Sequence, residues 1–222
     1  TDRYNLGSQH ISRSEVFRLE LVKPEKLLAL LERRELALRS RLEQTINEMT
    51  TLRETLDLLR RRGFEQPQNT DEKAITRLHQ VRRLRIQQSG LQATKTSEEL
   101  LGIVTSLDDI LLEMLNNRVD SVDRRERIGK GGRDPLNNIV TGSLQRLRDQ
   151  IKAVEGLVAD PEAGIPKTAE AVATAEDVLL ELTAVLEKML DLESYNEILD
   201  LVRQLMDDQS ELTDDTKSER KK

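Results

Sequence analysis

Residues 70–128 read TDEKAITRLHQVRRLRIQQSGLQATKTSEELLGIVTSLDDILLEMLNNRVDSVDRRERI, a stretch of about 59 residues without a proline, which as a single α-helix would reach roughly 88 Å. A compact domain has no room for such a rod, so the run predicts an elongated molecule. In its second half Leu100, Val104, Leu107, Leu111 and Met114 recur in steps of four and three, the a/d seam of a coiled coil. That seam requires a partner helix. The first half carries Ile75, Leu78, Val81 and Leu84, diluted by Gln87-Gln88-Ser89-Gly90 and Thr94-Lys95-Thr96-Ser97. With no proline in between, the reading favours one continuous helix.

Proline and glycine divide the rest. Pro24 can open a helix at its first position, with Glu25 in the first turn. From there Leu28, Leu31, Leu38, Leu42, Met49, Leu52, Leu56 and Leu59 hold one register, interrupted by Glu35 and Thr45, up to Gly63. The short connection through Pro67 makes this helix an antiparallel neighbour of the long one. Gly129-Lys130-Gly131-Gly132-Arg133 reads as a flexible linker, after which Asp134-Pro135 restarts a helix with Leu136, Val140, Leu144, Leu147, Ile151, Val154 and Val158 on one stripe. After the turn from Pro161 to Pro166, a last helix carries Val172, Ala175, Leu179, Leu182, Leu186 and Met189. Expected helices are therefore about 24–62, 70–128, 135–158 and 166–212, within a bundle spanning 24–212. The polar, highly charged residues 213–222 are expected to be a disordered tail.

Residues 1–23 look different. In 14–22 Phe17, Leu19 and Leu21 alternate with Arg18 and Glu20, the period of a half-buried strand. A lone strand cannot satisfy its backbone, so the segment is expected to be an extended arm or the last strand of an upstream β-module. The first residue is Thr, which fits a piece of a longer protein. The run Thr1-Asp2-Arg3-Tyr4-Asn5-Leu6-Gly7, a polar spacer, and Val16-Phe17-Arg18-Leu19-Glu20-Leu21-Val22 resembles the closing hairpin of an immunoglobulin- or cadherin-like module. Passing directly into Lys23-Pro24-Glu25-Lys26-Leu27-Leu28, it is similar to large bacterial envelope proteins in which β-sandwich modules precede a C-terminal coiled-coil region. That resemblance covers about 30 residues by motif; it implies an extracytoplasmic setting and brings no functional residues.

Composition narrows the function classes. Of the 222 residues 36% are hydrophobic, 34% charged and 2% aromatic, with two Phe, two Tyr and no Trp, which suits narrow helical stripes better than one thick core. The 35 basic and 41 acidic residues give a net charge of −6, whereas a nucleic-acid binder needs an excess of positive charge. The chain has no cysteine, so thiolate chemistry is excluded. No apolar run approaches the ~20 residues of a membrane span.

The motifs that could carry chemistry read as structure. The glycines of 129–133 lack the Lys-Ser/Thr and the preceding strand of a phosphate loop. Arg77, Arg82, Arg83 and Arg85 read as a solvated face balanced by acids of a neighbouring helix. His10 and His79 fall in different elements without ligand spacing, so no metal is expected. Asp108, Asp109 and Glu113, and separately Asp207 and Asp208, sit on helix flanks, where paired acids stay solvated rather than catalytic. No cofactor is expected.

One feature does point to binding. The register of the last helix would next call for Glu193, Asn196 and Asp200, all polar, while the apolar residues resume out of phase, as a stutter or a change of partner produces. Ile198, Leu201, Leu205 and Leu212 are therefore the candidate association surface. The sequence predicts an all-α, elongated antiparallel helical bundle or coiled coil with a short N-terminal strand-like remnant. Its expected role is a non-enzymatic structural or protein-interaction module, a spacer or oligomerisation region of a larger envelope protein. The alternative is a regulatory or adaptor domain that binds a partner protein through an exposed seam. Either way the expected partners are proteins, as a homo-oligomer or through partner helices.

Overall fold

A computed structural model describes residues 21–65 and 72–219. Its elements are α1 (Pro24–Leu58), α2 (Glu72–Asn116), α3 (Val122–Glu126), α4 (Asp134–Thr141), α5 (Ser143–Glu155) and α6 (Pro161–Glu219), with π-helical segments Leu59–Gly63 after α1 and Arg127–Arg133 between α3 and α4. No strand occurs among the described residues. The strand-like reading of 14–22 falls mostly outside them, and its described end, Leu21 to Lys23, has no regular structure, with Leu21 fully exposed.

The helices form an antiparallel four-rod bundle. The first rod is α1 and its π turn, the second is α2, the third runs from α3 through α5, and the fourth is α6. Each packs on two neighbours: α1 on α2 and α6, and α5 on the same two. Thirty-five, 45 and 59 residues make α1, α2 and α6 about 53, 68 and 89 Å long. The core is correspondingly a thin seam. On α1 it is Leu27, Leu31, Leu38, Leu42, Thr45, Met49, Leu52, Leu56 and Leu59, a register that the sequence made visible apart from Leu27 in place of Leu28.

Flanking ion pairs set the register between rods. Arg34, Arg41 and Glu48 of α1 meet Glu113, Glu99 and Lys95 of α2, and Arg53 meets Glu176 of α6. Such half-exposed pairs contribute only about 0–1 kcal/mol each, so their role is alignment more than stability. The hydrogen bond from Lys95 holds the Glu48 carboxyl below its ordinary pKa.

The 70–128 helix is the main correction. It ends at Asn116, because Arg118 takes a left-handed conformation (φ 55°). Val119 N–H then donates to the Met114 carbonyl (3.1 Å) and Arg118 N–H to that of Leu115 (3.2 Å). This is a Schellman termination, with Val119 partly buried against the core, but with arginine where glycine usually stands. Ser121 then caps α3 by accepting from Arg124 N–H.

The glycines of 129–133 are a second correction, since they lie inside the third rod as a π-helical turn. Gly131 and Gly132 are buried, and a Cβ on Gly132 would stand 3.4 Å from Leu107 Cδ1. That is ordinary van der Waals contact, so the turn packs beside Leu107 of α2 and Met189 of α6 without needing a glycine to make room. The widened turn also precedes Pro135, which cannot donate to the carbonyl one turn back. The expected helix 135–158 is thus the second part of a longer rod, which bends at Gly142 (φ −106°, ψ −96°).

The fourth rod starts at Pro161 rather than at residue 166. Asp160 caps it by accepting from Ala163 N–H at 3.1 Å, and Pro161 occupies the first position, while Pro166 is carried within the helix. Its buried row is Thr168, Ala171, Val172, Thr174, Ala175, Val178, Leu182, Val185 and Met189, with Leu179 and Leu186 only partly buried. At the other end, the helix continues to Glu219, so residues 213–219 of the expected tail are helical.

Candidate association surface

The bundle has two unlike ends. At the α1–α2 end, Phe64 is 4% exposed and Arg82 is 3% exposed, with the guanidinium carbon 4.6 Å from the ring centroid. Arg82 donates to the carbonyls of Gly63 (2.6 Å), Glu65 (3.5 Å) and Val158. Among the described residues its partners form a backbone cage with no carboxylate, and burial lowers its pKa from the ordinary arginine value. Phe64 in turn lies on Gly164, where a Cβ would come within 2.2 Å of the ring. One arginine therefore ties together the end of α1, the start of α2 and the approach to α6.

The sequence reading of Arg77, Arg82, Arg83 and Arg85 as one solvated, acid-balanced face is corrected by this arrangement. Arg82 turns inward. Arg77, Arg83 and Arg85, together with Arg62, are exposed and form no ion pair among the described residues. Arg62, Arg77 and Arg85 line an open groove of ≈ 400 Å³ with Ala74, Leu78 and Val81 among its apolar residues. Val81 and Leu84, both placed in the core stripe by sequence, are 45% and 64% exposed.

At the other end, α6 outruns the bundle. Counting equal rises from the Arg53–Glu176 pair, Pro24 stands level with Leu205, so about fourteen further residues, 206–219, extend about 21 Å past the start of α1. Leu205 and Leu212 are both 67% exposed, and being seven residues apart they share a face. Val202 (46%) and Met206 (65%), which sequence reasoning left out, stand beside them. Their signal was present, since Val202, Leu205, Gln209 and Leu212 follow steps of three and four. A shallow groove of ≈ 460 Å³ is lined by these residues and Asp208. Ile198 and Leu201 lie on the same helix, with side chains outside the described ones.

Two of the acidic candidates are taken up by the bundle. Asp108 and Glu113 are paired with Arg133 (2.7 Å) and Arg34 (2.5 Å). Glu35 and Arg127, 2.7 Å apart and largely shielded, lie beside the α1 seam between Leu31 and Leu38; burial raises the Glu35 carboxyl above its ordinary pKa, against the opposing pull of Arg127. No group of three or more His, Cys, Asp or Glu suited to a metal occurs among the described residues. His79 is on α2, and His10 is outside the described region. No described helix is long and apolar enough to cross a membrane. Comparison with protein-family models, curated proteins and solved structures returned no match to this chain.

Proposed function

We propose that this chain is a non-enzymatic structural and protein-interaction module, a rigid helical spacer of a larger cell-envelope protein whose C-terminal helix supplies an association surface. The observation that carries this reading is the exposed row Val202, Leu205, Met206 and Leu212 on a helix that continues beyond the bundle. A leucine row at heptad spacing is stabilised by burial of about 1.5–3 kcal/mol per side chain, which an exposed helix obtains only from a partner. The rods themselves supply length and stiffness, as a spacer requires.

Sedimentation equilibrium of the wild type and of a Leu205→Glu/Met206→Glu double variant tests this. The wild type is expected to associate as concentration rises, and the variant to stay monomeric with unchanged helix content. A wild type that is monomeric up to millimolar concentration, or a variant that associates like the wild type, would remove the surface from consideration.

A further inference from the structure

The reading above leaves open what α6 binds, and the charge distribution bears on that choice. Residues 205–216, which carry the exposed row, contain five acidic residues and no basic one; residues 217–222 add one acidic and four basic residues, so 205–222 as a whole carries −2 and the acidic character is local to the row. Two such helices pairing with each other would bring like charges together along a narrow contact, which opposes self-pairing of the extensions.

The opposite end has the complementary character. Residues 57–85 contain eight basic and four acidic residues, a net +4, and two of the arginines there, Arg60 and Arg61, are already engaged by Asp57 at 2.7 and 2.8 Å. Arg62, Arg77 and Arg85 are the ones on the groove, with Ala74, Leu78 and Val81 as its apolar lining and Leu84 exposed on the same helix. An apolar strip bordered by arginines is the counterpart of an exposed apolar row with Asp208 beside it on an acidic stretch of sequence.

The two surfaces cannot meet within one molecule. Gly164 of α6 sits against Phe64 at the groove end, and Leu205 lies 41 residues further along the same helix, about 62 Å away. We propose, resting on the association role of α6, that the acidic C-terminal extension of one copy docks in the arginine-lined groove at the α1–α2 end of a second copy. Leu205 and Met206 face Ala74, Leu78 and Val81, and Asp208 faces Arg62, Arg77 and Arg85. Because the contact joins unlike ends, each added copy presents a fresh groove and a fresh extension. The assembly is a head-to-tail row rather than a closed dimer.

Two variants and their mixture test this arrangement. The groove variant is Arg77→Glu/Arg85→Glu, with Arg77→Ala/Arg85→Ala as a milder companion; the extension variant is Leu205→Glu/Met206→Glu. All the substituted side chains are exposed, and circular dichroism verifies folding. The wild type should give an average mass that keeps rising past the dimer in sedimentation equilibrium, and that falls as salt goes from 50 to 500 mM. Each charged variant alone should lose about tenfold or more in association constant, and the alanine pair less. An equimolar mixture of the two charged variants should form a one-to-one dimer that grows no further, since it contains one intact groove and one intact extension. A groove variant that associates like the wild type, while the extension variant is monomeric, would overturn the docking site and leave the association role of α6 standing. A mixture that stays monomeric although the wild type associates would overturn it equally. A wild type that never associates would end both readings.

Discussion

The bundle body and the α6 extension are built from the same residues and differ in what surrounds them. Leu182, Val185 and Met189 follow one another by three and four residues on α6 and are at most 9% exposed, because α1 and the third rod lie against them. Leu205 and Leu212, on the same helix, are each 67% exposed. The comparison shows that a heptad row by itself specifies a helix that wants a partner. Whether that partner is in the same chain depends on where the other rods end. In the body, shielded polar groups also fasten the rods, Arg82 near one end and Glu35 with Arg127 within the α1 seam, between Leu31 and Leu38.

The same substitution made in both regions should have very different effects. Leu107→Ala removes a side chain with no exposure and should cost about 2–5 kcal/mol. Leu205→Ala, measured at a concentration where the protein is monomeric, should stay within about 0.5 kcal/mol of wild type. Urea unfolding with both variants decides it. Equal losses would mean that the extension is packed as firmly as the body.

The second test concerns how the body is tied at the groove end. Arg82→Ala would leave the carbonyls of Gly63, Glu65 and Val158 without these donors and strip the cation from Phe64, for a loss of about 2–3 kcal/mol. Arg82→Lys, which keeps the charge but not the planar fork, should recover only part of it. If thermal unfolding moved by less than a degree or two, the cage would be dispensable and the two ends of α2 would differ less than the geometry implies.

Arg82 also marks where the sequence was hard to read. Leucine periodicity exposed the seams of α1 and of the second half of α2, since the seam positions there are apolar apart from Glu35 and Thr45 of α1. In the first half of α2 the seam passes through Arg82, Ile86, Ser89, Ala93 and Thr96, all buried, while Val81 and Leu84 point outward. Hydropathy followed the apolar residues and shifted the face by one position. The helix end at Asn116 was hidden for another reason, because Arg118 holds the left-handed turn that a glycine would have announced. The glycines of 129–133 misled in the opposite sense: they lie inside a π-helical turn of the third rod, with Gly132 packed beside Leu107 and Met189, and do not form a linker. Of the proposed association surface, the exposed Leu205 and Leu212 were legible from the register jump. The groove was not, since it is made by two helices meeting, and linear sequence shows only a cluster of arginines.

A glycine pair provides the third test. Gly164→Ala would drive a Cβ into Phe64, whose ring is already held by Arg82, and should cost about 1–3 kcal/mol. Gly129→Ala, with nothing within 4 Å of the added Cβ, should instead stabilise by about 0.5–1 kcal/mol through the lost freedom of the unfolded chain. Opposite shifts in denaturation midpoint are expected from the same chemical change. Shifts of one sign would show that the helix crossing at Phe64 is looser than described.

The smallest effect is a dependence on pH, and its sign separates buried carboxylates of the body from those on its surface. Burial raises the Glu35 pKa despite Arg127, so between the ordinary carboxylate value and the raised one the folded chain holds more protons than the unfolded chain. The stability from Glu35 is therefore present below the ordinary value and is lost as pH rises through the raised one. Asp57 and Glu126, lowered chiefly by hydrogen bonds from Arg60 and Lys130, behave oppositely: their contribution is present above the ordinary value and is lost as pH falls. Both lie at the surface, so salt should mute them while leaving Glu35 largely untouched. In thermal melts at high salt, Glu35→Gln should gain on the wild type as pH goes from about 4 to 7.5, by about 2–4 °C or less. If the variant instead loses ground as pH rises, the attraction of Arg127 outweighs the cost of burying the carboxylate, and this part of the α1 seam is held by an ion pair after all.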